Sequence, residues 1–187
     1  MKAIKFLFIL AAGLFIFNSC SKAIEEATSI NVPVPDFNVE IPVNVTAPSN
    51  APAFDLRSST APNHFKGSAT LNIDRDDFKD LKKYLKNITG FKLGTAEVKV
   101  NISTGDHAEN VVLSSADVTG TVTIQNISFT GTFYSSPELT AYATKLFQKF
   151  IDKGEISVSI EGDTNYAGGT LIILVHFGDL KVTAKIL

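Results

Sequence analysis

The apolar and polar positions of the chain fall into segments of two periods. Behind Phe65 and Gly67, the residues Ala69, Leu71 and Ile73 alternate with Thr70 and Asn72, the signature of a half-buried strand ending at Asp74. The period then lengthens. Phe78, Leu81, Leu85 and Ile88 fall at helical spacing behind Asp74, Asp76 and Asp77, which predicts a helix of about three turns to near Asn87. Alternation returns over Ala96, Val98, Val100 and Ile102, leads to a turn at 104–107, and resumes as a strand over 110–113. Next, Val118, Gly120, Val122 and Ile124 share one parity, while Ile127, Phe129, Gly131 and Phe133 share the other. A strand here should bulge or break at Gln125 and Asn126.

Ser136 followed by Pro137 predicts the cap and first position of a second helix. Leu139, Tyr142, Ala143, Leu146, Phe147 and Phe150 form its apolar stripe, Gly154 supplies a left-handed stop, and Ile156, Val158 and Ile160 alternate as the next strand. Strand, helix, strand thus occurs at 65–103 and again at 127–161, with Phe-x-Gly openings at Phe65 and Phe129, which raises duplication as a hypothesis. At the C-terminus, Gly178 and Asp179 read as a two-residue hairpin loop. That register sets Phe177 opposite Leu180, Val175 opposite Val182, Ile173 opposite Ala184 and Leu171 opposite Ile186, all apolar. It also sets His176 beside Lys181 and leaves Ile172 and Leu174 needing cover from a helix. The expected fold class is α+β and β-rich: a mainly antiparallel sheet or β-sandwich with two amphipathic helices packed on one face.

Ahead of this domain, Pro33, Pro35, Pro42, Pro48, Pro52 and Pro62 concentrate six of the seven prolines, as in a semi-rigid tether. Within the same stretch Phe37, Val39, Ile41, Val43 and Val45 alternate with polar residues. Pro42 on the polar face would confine that segment to an edge strand, so edge strand and pure tether both stand. The expected organisation is a signal peptide at 1–19, an acylated N-terminus and tether at 20–64, and a globular domain at 65–187.

Composition narrows the class. With 187 residues, 44% apolar and 19% charged, the chain can build one domain with a sizeable core. A net charge of -2, with Arg57 and Arg75 the only arginines, leaves no basic footprint, so nucleic acid is not an expected partner.

The most specific signal is N-terminal. Lys2 and Lys5 precede an apolar run over residues 6–17, which closes on Asn18, Ser19 and Cys20, the one cysteine of the chain. Twelve residues fall short of the roughly 20 that a spanning helix needs. The stretch Phe17-Asn18-Ser19-Cys20 resembles the lipobox of bacterial lipoproteins, with Phe17 in place of the usual leucine. The resemblance implies cleavage by signal peptidase II before Cys20, a diacylglyceryl thioether on its sulfur and an acylated amine. Ser21, where an aspartate commonly retains lipoproteins at the inner membrane, implies delivery to the outer membrane. Residues 22–26 resemble the short acidic tether of some surface-exposed lipoproteins. Acylated Cys20 would leave no thiol for a disulfide, a metal or nucleophilic catalysis. The 17 basic residues less Lys2 and Lys5 leave 15 against 19 acidic. An anionic bilayer would not attract that body, and the acyl chains would have to hold it.

Candidate chemistry is sparse. Asp74, Asp76, Asp77 and Asp80 could supply oxygens to a hard cation, but acids at a helix start more simply cap free amides and oppose the dipole. Asp106, His107 and Glu109 sit in the polar turn, His64 lies at the tether boundary with no partner identifiable in sequence, and His176 has Asp179 three residues on. No G-x-S-x-G, H-E-x-x-H, P-loop or G-x-G-x-x-G motif is present. The N-x-S/T strips at Asn44, Asn87, Asn101 and Asn126 carry no weight in a bacterial lipoprotein. With no tryptophan, glycan stacking would fall to Tyr134 and Tyr166.

The functional expectation is therefore a non-catalytic, lipid-anchored outer-membrane or cell-surface protein with no cofactor or metal. It would serve as a protein-interaction or envelope-assembly module. The alternative is a carrier of a small apolar ligand held between the sheet and the phenylalanine-rich helix stripe, and a hydrolase would need His64, His107 or His176 to meet a carboxylate in a cleft.

Overall fold

The structure, a computed structural model, describes residues 28–46 and 62–186. Cys20 and the predicted signal peptide lie outside the described residues. In chain order the strands are β1 (Ser29–Val32), β2 (Phe37–Thr46), β3 (Asn63–Asn72), β4 (Ile88–Lys92), β5 (Thr95–Val100), β6 (Ser103–Ser115), β7 (Val118–Thr130), β8 (Tyr134–Ser135), β9 (Glu155–Thr164), β10 (Gly169–Gly178) and β11 (Lys181–Lys185). Helix α1 (Lys79–Tyr84) follows β3 between two single 3-10 turns, and α2 (Pro137–Lys153) follows β8. The protein is α+β and β-rich, as its periodicity predicts. Eight strands pair antiparallel in the order β7-β6-β9-β3-β2-β10-β5-β8 and curl into a nearly closed, barrel-like sheet, with β7 returning towards β5. A smaller sheet has the order β1-β11-β4.

The curl is built into the longest strands. β6 carries an extra residue relative to β9 between Glu109 and Val112, and Asn110 there has φ 50°. The buried residues change parity at that level on both strands, from Ala108 to Val111 on β6 and from Ile127 to Ile124 on β7. The irregularity expected at Gln125 and Asn126 is thus a parity switch inside one continuous strand, driven by the bulge beside it. The turn expected at 104–107 lies instead within β6. Opposite the bulge, Gly162 lets the strands close up, since a Cβ there would sit 3.1 Å from the Glu109 carbonyl oxygen and 2.9 Å from the Phe65 ring.

Helix α2 lies against the concave side, touching β5, β7 and β9. Ser136 caps it through a bond from the Leu139 N–H at 3.1 Å, Pro137 takes the first position, and Gly154 ends it at φ 75°. All six residues of its apolar stripe are buried. Phe147 and Phe150 join Phe37, Phe78, Phe91 and Phe177 in one aromatic cluster, with Phe37 stacked on Phe177 at 4.8 Å, Phe78 4.9 Å from Phe150 and Phe91 5.1 Å from Phe147. These rings occupy the space between sheet and helix. They also bind the two sheets together, because Phe91 belongs to β4 and Phe37 and Phe177 to the large sheet.

Several expectations need correction. The stretch read as tether or edge strand contributes β1 and the interior strand β2, which pairs with both β3 and β10. Pro42 is tolerated inside the sheet because the β3 ladder stops at Val43↔Gly67, one residue short of it. The C-terminal hairpin does not form. Both edges of β10 are taken, by β2 and β5, so the chain turns a corner at Asp179, φ 54°, and β11 enters the other sheet. The all-apolar pairing that suggested a hairpin equally suits two strands facing one core across a corner. The two strand-helix-strand units also differ in make-up: the predicted closing strands, β5 and β9, both lie in the large sheet, but the small-sheet strand β4 intervenes between α1 and β5, whereas α2 leads directly into β9. Among the described residues, no helix is long and apolar enough to cross a membrane.

Candidate functional site

The outer face of the large sheet gathers two histidines and two carboxylates that are far apart in sequence. Alternation on β3, β9 and β6 turns Phe65, Gly162 and Ala108 inward and their neighbours outward. Register then sets His64 opposite Asp163, and Asp163 opposite Glu109. His64 Nδ1 lies 3.1 Å from Asp163 Oδ1, and His107 Nε2 lies 3.0 Å from Glu109 Oε1. Like charges directly opposite one another are unfavourable, and each carboxylate here has an imidazole to hydrogen-bond. The His107 backbone is fixed by residues that sequence reasoning passed over. Its N–H donates to Asn165 Oδ1 at 2.8 Å, and its carbonyl accepts from Thr164 Oγ1 at 2.6 Å. Thr164 is a buried polar residue whose hydroxyl also accepts from the Tyr166 N–H at 3.1 Å. Beside His107 runs a shallow groove of about 250 Å³ lined by Thr104, Asp106, Asn126 and Ser128. This row presents hydrogen-bond donors and acceptors at the surface. Among the described residues, no three His, Cys, Asp or Glu are grouped to hold a metal ion.

The other candidates stand apart from it. His176 meets neither Lys181 nor Asp179. It lies between Asn38 and Glu97, with Nδ1 2.9 Å from Asn38 Oδ1 and its ring 5.5 Å from Phe133. Asp179 instead donates its N–H to Asp36 Oδ1 at 2.9 Å. Around α1, Lys82 pairs with Asp74, Arg75 with Asp77 at 2.5 Å and Lys83 with Asp80 at 2.7 Å. The hydrogen bond from Lys83 holds the Asp80 carboxyl below its usual range. No side chain caps the first 3-10 turn or α1, so these acids serve in ion pairs rather than as caps. Tyr134 packs on the core from β8, and Tyr166 lies 6.2 Å from Phe129 with its carbonyl accepting from Asn63.

Compared with protein-family models, curated proteins and solved structures, the chain finds no match. The reading of function therefore rests on the molecule itself. On the convex side, Ile172 and Phe133 are each 37% exposed, with Lys99 Nζ 4.5 Å from the Phe133 ring centre. Among the described residues, neither helix packs on the strand face that carries Ile172 and Leu174. Leu174, at 8% exposed, sits in register between Glu40 and Lys99. Within the core, burial pushes the Tyr142 phenol up, with the Ser115 backbone offsetting part of the effect.

Proposed function

We propose that this is a non-catalytic, lipid-anchored protein of the outer membrane or cell surface whose folded domain serves as a protein-interaction or envelope-assembly module. The observation that carries the reading is Cys20, directly behind a small residue at the end of an apolar run too short to span a bilayer. Acyl chains contribute about 0.8 kcal/mol per buried methylene, so a multiply acylated Cys20 anchors the chain stably. The fold is in keeping with an interaction role. His64 and His107 pair with carboxylates and Asp74 and Asp80 with lysines on an exposed surface, and the helix phenylalanines pack against other rings in the core.

The test is detergent phase partition of the protein expressed in a Gram-negative host. Wild-type chain should enter the detergent phase and Cys20→Ser the aqueous phase. Equal partition of the two would overturn the anchor. Crosslinking in intact cells should then trap the wild type with an envelope protein and lose that product in the Cys20→Ser variant.

A further inference from the structure

The small sheet ends in a bare edge. β4 pairs with β11 on one side, and among the described strands nothing pairs with the other. That side opens on a groove of about 610 Å³ running between β4 and the end of α2, with Ile73, Leu85, Phe91 and Ile151 among its apolar lining. Gly90 sits midway along β4, and no described atom lies within 4 Å of where a Cβ would stand, so the face of the strand is uncovered there while its free edge follows from the strand order. Phe91 packs on Phe147, with ring centres 5.1 Å apart, which joins the floor of the groove to the core.

The charge around this edge is mixed, with the bases in excess. Lys153 is paired with Asp117, and Asp152 keeps its charge, since the Gln148 amide that donates to it at 2.9 Å is neutral. Lys86, which lines the groove, and Lys92, which ends β4, take part in no ion pair among the described residues. Unpaired strand edges are templates for another strand, and lysines along them reject most candidates. A strand carrying carboxylates is the kind they admit.

We propose that the β4 edge is the docking site for an extended acidic segment of a partner protein. The segment adds as a fourth strand to the small sheet and lays its alternate apolar side chains into the groove beside α2. A second copy of this chain is the poorer occupant, because two β4 edges would bring Lys86 and Lys92 of each copy together. An anionic bilayer would meet the same lysines but would leave the N–H and C=O groups of β4 without strand partners. The inference rests on the interaction-module reading and gives that module a surface and a partner chemistry.

The test uses the full chain in neutral detergent micelles and two fluorescein-labelled octapeptides, one alternating valine with glutamate and one alternating valine with lysine. The acidic peptide should bind by fluorescence anisotropy, weaken as salt rises and protect the amides of residues 88–92 from hydrogen exchange. The Lys86→Glu/Lys92→Glu variant should bind it about tenfold more weakly and gain affinity for the basic peptide. Lys86→Ala/Lys92→Ala should fall between, and thermal melting of both variants shows that the fold is kept. Failure of the acidic peptide to bind, equal binding of both peptides, or protection away from β4 would each overturn the proposal. So would protection of 88–92 by phosphatidylglycerol vesicles in place of the acidic peptide. None of these outcomes depends on acylation, so they leave the anchored-module reading to the partition experiment.

Discussion

The two helical regions of this protein are built on opposite terms. Helix α2 has a serine cap, a proline at its first position, a left-handed glycine stop and six buried residues facing a sheet that curls around it. Residues 76–87 around α1 form three short pieces with no capping side chain, and their buried residues are Phe78 and Leu81. The first is specified by its own sequence and by the core at once. The second is held in place by Phe78 against Phe37 and Phe150, and its helix signals add little. A protein opens first where few apolar contacts hold it, so the α1 and β4 side, which borders the groove, should be the more easily remodelled half.

The largest effect should come from cutting into the shared ring cluster. Phe150 is fully buried, and Phe150→Ala should cost about 3–5 kcal/mol in urea denaturation, a large share of the stability of a domain this size. Leu81→Ala, also fully buried but on α1, should fall near the lower end of the roughly 2–5 kcal/mol range for such changes. Equal costs at the two positions would erase the contrast between the helices.

Glycines sharpen the same contrast between the two sheets. A Cβ at Gly67 would stand 2.3 Å from the Pro42 carbonyl oxygen and 2.6 Å from Val43 Cγ1, so Gly67→Ala forces β2 and β3 apart and should cost about 1–3 kcal/mol. Gly90 on β4 has open space around it, and Gly90→Ala should change stability by less than about 0.5 kcal/mol. Thermal melting of the pair separates a packed interior ladder from an open edge. Between these in size, Ser136→Ala should cost about 1 kcal/mol through the lost bond to the Leu139 N–H, read as a lowered melting temperature.

The difference between the regions also explains what the sequence could show. Helix α2 was legible because Ser136, Pro137, the apolar stripe and Gly154 all state the same element. The strands of the large sheet were legible wherever alternation ran unbroken, as on β3 and β9. Alternation names the face a residue takes and says nothing about which strand lies beside it, so β10 and β11 read as a hairpin although they belong to different sheets. β4 escaped notice because Gly90 interrupts a five-residue strand with only two large apolar residues, Ile88 and Phe91. The pairing of His64 with Asp163 was out of reach for the same reason, since 99 residues of chain separate them and only the β3–β9 register joins them.

The smallest expected effect is electrostatic, and it tests whether the two halves are tied differently to pH. Asp117, in the turn between β6 and β7, accepts from Lys153 at the end of α2 and from the Ser157 N–H of β9 at 3.4 Å, so it joins three elements of the large sheet and its helix. These bonds hold its carboxyl below the ordinary range, the Lys153 hydrogen bond most of all. A folded-state value lowered in this way adds stability that is complete above the unfolded carboxylate value of about 3.9 and is lost as pH falls through the folded value. Asp80 is lowered in the same direction by Lys83, but that pair lies three residues apart on one short helix and restrains nothing else. Asp117→Asn should therefore flatten the fall of the melting temperature between about pH 5 and pH 2 more than Asp80→Asn does. A larger flattening from Asp80→Asn would place the pH-sensitive tie on the α1 side, against the order argued from the helices.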